Sequence, residues 1–218
     1  MDVWTLWTNG LADALAFLST HGGLTQAWAI VVLTLVARLA IAPVSIGAML
    51  RADRNRQQLD ALKPELTALR ERFKDDPRAL SEKTMALYKK HGVRFFDRLT
   101  LANLFAQTTF GLSMYRMLRK IKFAARFLWI PDIAKPDVIL ALVTGALMVA
   151  SMMLGPAAHQ QMSLLVVIIP VVISVISIAT FPSAIGLYWA TSNLVSLTQT
   201  LAVRLIIAHR RNRIGALN

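Results

Sequence analysis

Hydrophobic positions along this chain collect into five runs, at about 26–50, 99–118, 138–154, 163–181 and 184–207, with polar residues between them. Each run is near the roughly 20 residues that carry an α-helix across a bilayer. Charge respects the same partition. Arg38 is the single Asp, Glu, Lys or Arg between Asp13 and Arg51, and none occurs between Asp137 and Arg204. So long an uncharged stretch does not suit a soluble core, and the pattern predicts an all-α integral membrane protein with five transmembrane helices. Pro43 and Pro170 fall inside runs, where neighbouring helices can satisfy the freed carbonyls. A short loop near Pro156 joins the third and fourth runs, and the segment around Pro182 turns the last two into a tight hairpin.

Outside the runs, other periodicities appear. Trp4, Trp7, Leu11, Leu15 and Leu18 recur at steps of three and four, which predicts that residues 1–24 form an amphipathic helix lying in the membrane interface. This segment holds Asp2 and Asp13 but no Lys or Arg, so it lacks the basic start of a secretory signal peptide. Residues 51–98 are polar, yet Leu59, Leu62, Leu66, Leu69 and Phe73 keep helical spacing, and Leu80, Thr84, Leu87 and His91 resume it. Between them Asp76 precedes Pro77, a pairing that caps and opens a helix. The expected result is an antiparallel helical hairpin outside the membrane. The domain plan is thus an interfacial helix (1–24), a five-helix core (25–50 and 99–207), a hairpin (51–98) and a basic tail (208–218).

Composition changes the picture mainly through charge. The 218 residues are 56% hydrophobic and still carry a net charge of +12. Residues 51–98 hold thirteen basic against eight acidic side chains. Five crossings put them on the same side as the tail, for a total of seventeen basic residues counting Arg204, Arg210, Arg211 and Arg213. The opposite loop, 116–136, holds six: Arg116, Arg119, Lys120, Lys122, Arg126 and Lys135. This bias predicts an outside N-terminus with hairpin and tail in the cytoplasm. It also explains the basic balance without DNA as a partner. Cysteine is absent, and His21, His91, His159 and His209 are scattered, so neither a disulfide framework nor a metal centre is indicated. No catalytic motif occurs, and the chain is not expected to be an enzyme or to use a cofactor.

The informative polar residues lie inside the apolar runs. A guanidinium near the middle of a span costs roughly 2.5–3.5 kcal/mol on insertion scales unless it meets water or a partner. No Asp or Glu lies in any predicted span to pair with Arg38, which therefore is expected to face a hydrated cavity; the alternative is a packed bundle in which carbonyls and hydroxyls hold it. Thr34 and Ser45 share its helical face. In the last run Tyr188, Trp189, Ser192, Ser196, Gln199 and Thr200 fall on one side, and Leu187, Leu194, Leu197, Leu201 and Leu205 on the other, the expected lipid face. Thr100, Asn103, Gln107, Gly111 and Met114 form a weaker polar stripe in the second run. Together these stripes predict a common groove built from Thr34, Arg38, Asn103, Gln107, Tyr188, Trp189, Ser192, Ser196 and Gln199. Interhelical hydrogen bonding without a groove is the other reading.

From Leu24 to Arg204 the chain resembles the YidC/Oxa/Alb family of membrane protein insertases. The most specific match is FPSAIGLYWATSN, Phe181 to Asn193, similar to the family's F-P-x-G-L-x-L-Y-W-x-x-S-N signature. Arg38 within VARLAIAPVS, the hairpin text KPELTALRERFKDDPRALSEKTMALYKKHGV, FLWIPDIAKPD before the third run, and Pro170 follow in the family's order. The resemblance implies a five-helix core in a bacterial inner membrane with a positively charged groove, open to cytoplasm and lipid and closed on the far side. There polar stretches of nascent membrane proteins enter while apolar ones slide into the bilayer. It further implies that the hairpin, through Leu59, Lys63, Arg70, Lys74, Asp76, Lys83, Lys89 and Lys90, recruits substrates, ribosomes, targeting factors or the Sec translocon. The chain departs from the pattern at Asn103 and Thr109, where the family places prolines, and the resemblance makes it a minimal member without the periplasmic domain of many relatives. Two other functions fit the residues less well: a small transporter or channel, which the lack of intramembrane carboxylates disfavours, and a membrane scaffold whose hairpin binds a soluble partner.

Overall fold

The computed structural model describes residues 2–93, 98–155 and 164–215. The loop near Pro156, His159 and residues 94–97 lie outside the described residues. All regular structure among those described is helical: α1 (Val3–Thr20), α2 (Gln26–Ala61), α3 (Lys63–Arg72), α4 (Pro77–Lys90), α5 (Arg98–Leu118), α6 (Val138–Leu154), α7 (Leu164–Thr180) and α8 (Ser183–Gly215). Short polar side chains open several of them by accepting a free backbone N–H. Asp2 caps Thr5 at 2.7 Å, Asp76 caps Ala79 at 3.0 Å and Asp137 caps Leu140 at 2.6 Å.

Two helices run further than the hydrophobic pattern suggests. The first apolar run ends at Leu50, yet α2 continues through Arg51 to Ala61. Nothing in that polar extension breaks a helix, and the chain stops only before Pro64, whose ring clashes with the carbonyl of Asp60 and which offers it no N–H. The chain restarts at once as α3, with Pro64 in its first turn. The opening half of the hairpin at 51–98 is therefore divided between the end of α2 and the separate helix α3, with the break at Leu62. In the same way α8 continues past Ile207 to Gly215, so most of the basic tail is helical.

In the bundle, α8 lies between α2 and α6 and also touches α5, while α7 packs on α6. Small residues permit these approaches. A Cβ at Gly186 of α8 would stand 2.7 Å from Leu140 Cδ2, and one at Gly145 of α6 would stand 2.5 Å from Val175 Cγ2 of α7. Helix α1 does not lie apart from the bundle. It packs on α2 and α5, burying Leu11 and Leu15, and the Trp7 indole donates to Ser113 Oγ at 2.9 Å. Among the described residues α2 is the helix long and apolar enough to cross a membrane, and α6 and the Ile168–Thr180 part of α7 are shorter apolar stretches.

One end of the bundle is sealed by residues 119–137. Ile130 and Ile133 are fully buried there beside Phe110, Met114 and Ile185. Backbone bonds fix this segment to the helix ends: the carbonyls of Ile133 and Lys135 accept from Ala184 N–H and Ser183 N–H, both at 2.9 Å, and Ala124 N–H donates to Gln26 Oε1 at 3.0 Å. The free N–H groups that open α8 are thus satisfied by a loop rather than by water.

Candidate functional site at Arg38

Away from the sealed end the interior changes character. The apolar cluster includes Ile30 and Leu33 of α2, Phe110 and Met114 of α5, and Ile185 and Tyr188 of α8. One or two turns further from that end, the residues between the same three helices are polar. Arg38 donates from Nε to Ser192 Oγ at 3.1 Å and from a terminal nitrogen to Gln107 Oε1. Gln107 Nε2 donates to Asn103 Oδ1 at 3.2 Å, and Ser45 Oγ donates to the same oxygen at 2.7 Å. A continuous chain of side chains, Ser45–Asn103–Gln107–Arg38–Ser192, therefore ties α2, α5 and α8 together. Neutral oxygens orient the guanidinium and leave its charge uncancelled.

The remaining side of Arg38 borders a cavity of about 200 Å³, lined also by Thr144, Met148, Ser174, Trp189 and Asn193. That volume could hold several water molecules at about 30 Å³ each, and its mixed lining offers them polar groups at Arg38, Ser174 and Ser192. Tyr188 closes one wall. It is buried, its ring meets Phe110 edge-on with centroids 5.9 Å apart, and its hydroxyl approaches α5 where Gly111 has no Cβ to obstruct it. A Cβ at Gly111 would lie 3.0 Å from that oxygen.

The structure brings Arg38, Asn103, Gln107, Tyr188, Trp189 and Ser192 together and sets other expected residues apart. Thr34 is fully buried, bonds back to the Ile30 carbonyl at 2.7 Å and is not among the residues lining the cavity. Ser196 likewise bonds back to the Ser192 carbonyl at 3.0 Å, and Gln199 lies half-buried two turns beyond Ser192. On the leucine side of α8, Leu194, Leu201 and Leu205 are exposed, but Leu187 is buried in the apolar cluster. Helix α8 has neighbours on more than one side near the sealed end, so no lipid face exists there. Sequence reasoning missed Thr144, Met148, Ser174 and Asn193. Thr144 and Ser174 are rare polar residues in otherwise apolar helices, which was the available signal, although α6 and α7 carry no polar stripe to suggest a shared wall.

The hairpin residues have mixed roles. Lys63 pairs with Asp60 at 2.8 Å, Asp76 is spent as a helix cap, and Leu59 is half-buried at the end of α2. Arg70, Lys74, Lys83, Lys89 and Lys90 are exposed. Helices α3 and α4 touch and frame an open groove of about 410 Å³, lined by Leu69 and Leu87 and edged by Glu65, Arg72, Lys83 and Lys90.

Residues 17–210 match the family described as 60Kd inner membrane protein. The chain is 30% identical to the membrane protein insertase YidC of Campylobacter jejuni over 97% of its own length, and 28% identical to that of Helicobacter pylori over 95%. It spans 40% and 38% of those two proteins. It is also 30% identical to the membrane protein insertase MisCA of Bacillus subtilis over 89% of this chain and 76% of that protein. With the family match covering nearly all of the chain, and with a relative of similar extent at this identity, the chain belongs to the YidC/Oxa/Alb family of 60Kd inner membrane proteins.

Proposed function

We propose that this protein is a membrane protein insertase of a bacterial inner membrane, acting without cofactor or covalent chemistry. In this reading α2, α5, α6, α7 and α8 cross the bilayer, the N-terminus lies outside, and α3, α4 and the end of α8 lie in the cytoplasm. The observation that carries it is a positive charge held by neutral partners beside a cavity near the middle of the apolar run of α2, in a bundle capped at one end by residues 119–137. A half-channel of this kind shortens the apolar distance over which a polar segment must be moved, and Arg38 favours acidic segments entering it. Apolar segments of the same nascent chain pass directly into lipid along exposed positions such as Leu104, Phe105 and Ile173. The exposed cations of α3 and α4 would recruit nascent chains, ribosomes or targeting factors.

The test is reconstitution of the purified protein into liposomes with a single-span substrate bearing an acidic tail. Insertion is read by protection of the tail from external protease. Protection that requires the protein supports the proposal. Solute flux without insertion would assign a transporter instead, and binding of a soluble partner without either would assign a scaffold.

A further inference from the structure

The sealed end carries a charge that nothing in the insertion mechanism uses. Arg116, Arg119, Lys120, Lys122, Arg126 and Lys135 lie there, opposite to the charge bias expected of an outer loop. The two carboxylates of the same segment are engaged otherwise. Asp132 accepts from Ala134 N–H at 2.9 Å, and Asp137 accepts from Leu140 N–H and, at 3.2 Å, from the Trp129 indole. Arg119 stacks on the Tyr115 ring with 5.5 Å to its centroid and donates to its hydroxyl at 3.1 Å, which fixes the guanidinium without neutralising it.

Between the last turn of α5, residues 121–123 and the start of α8 is a cavity of about 510 Å³. Its walls are Ile121, Phe123 and Phe181, and Arg119 and Lys122 stand exposed beside them. Apolar walls with cations at the mouth, placed where two apolar helices end, match the chemistry of a phosphodiester attached to acyl chains. We propose that this cavity binds an anionic phospholipid of the outer leaflet, with the phosphate between Arg119 and Lys122 and an acyl chain against Phe181. Bound lipid would offset the segment's excess of positive charge. The proposal rests on the membrane orientation proposed above and not on insertase activity.

The whole purified protein, in neutral detergent micelles, is titrated with dioleoylphosphatidylglycerol or dioleoylphosphatidylcholine, and bound lipids are counted by native mass spectrometry. One saturable phosphatidylglycerol is expected, held at least ten-fold more tightly than phosphatidylcholine. Combining Arg119→Gln with Lys122→Gln should weaken it by roughly ten- to thirty-fold, as loss of two surface cations near an anionic headgroup implies. Arg70→Gln with Lys74→Gln removes the same charge from α3 and its following turn and should leave binding unchanged. Ala134→Glu keeps both cations but adds a carboxylate to the wall, and should also weaken binding; it decides the matter if the glutamine variant does not fold. Equal affinity for the two lipids, or equal loss in the α3 variant, would overturn the proposal. Millimolar inorganic phosphate or an acidic peptide binding as tightly would overturn the lipid assignment in favour of a free anion or a protein segment.

Discussion

Replacing Arg38 by alanine separates stability from activity. Two opposing terms act on stability. The change removes a guanidinium whose placement in a span costs roughly 2.5–3.5 kcal/mol. It also removes two hydrogen bonds from a charged donor, to Ser192 and Gln107, worth about 1.5–3 kcal/mol each. The terms largely offset each other, so the protein should still accumulate, with a net loss centred on about 1.5 kcal/mol and at most about 3.5 kcal/mol. Activity has no such compensation. A cavity of about 200 Å³ is about 7 Å across, and a carboxylate at that distance from Arg38 gains about 2 kcal/mol at an effective dielectric constant of about 20. Insertion of a substrate with an acidic tail should therefore fall about thirty-fold, while Arg38→Lys keeps the charge, loses the planar donor fork and retains part of the rate. Gln107→Leu is the informative contrast. It leaves the guanidinium in place with one partner fewer, and should lower the unfolding midpoint in detergent more than Arg38→Ala does. Protease protection in proteoliposomes reads the activities. Normal insertion by Arg38→Ala, or a Gln107→Leu protein more stable than Arg38→Ala, would refute the reasoning.

Three further outcomes are expected. Single cysteines at Ser19 and Ala134 should react with an impermeant reagent from outside and one at Ala79 should not; the inverse pattern would turn the proposed orientation over. Deleting Leu59 to His91 behind a flexible linker should leave a membrane-integrated protein with impaired insertion, and full activity would remove the recruiting role of α3 and α4. Gly186→Ala places a methyl group 2.7 Å from Leu140 Cδ2 and 3.0 Å from Ile178 Cγ2, both buried. Overpacking should cost about 1–3 kcal/mol, visible as a lower midpoint in thermal unfolding, whereas a midpoint equal to the parent's would mean that α6 and α8 are less closely apposed.

The sequence spoke clearly wherever one physical effect dominated. The apolar run at 138–154 coincides with α6 because an uncharged helix in an apolar medium has nothing to compete with it, and the all-helical architecture follows from the same constraint. Arg38 stood out because a charge among apolar neighbours is costly. Its partners did not, since amide and hydroxyl groups on other helices are common and become specific only through packing. Leu187 was misassigned because a helical wheel supposes one lipid side and one protein side, and α8 near the sealed end is surrounded. Thr34 shows the same weakness: its position on the Arg38 face says nothing about whether the neighbouring helix covers it. The stripe of α1 was correctly periodic, but period cannot say whether Leu11 and Leu15 meet lipid or, as found, α2 and α5.

The uninterrupted course of α2 has a mechanical consequence. Its 36 residues make a rod about 54 Å long, against a hydrocarbon thickness of about 30 Å, and so it must project well beyond the bilayer. Arg38 and the shaft that meets α3 at Leu62 are parts of one lever. The weak point along it is Pro43, where a hydrogen bond is missing and bending is cheapest. About 18 residues, or about 27 Å of helix, separate Pro43 from Ala61, so a tilt of about 10° there moves the far end by about 5 Å. A load docking on α3 and α4 would thus pull on a handle whose pivot lies just over one turn from the guanidinium.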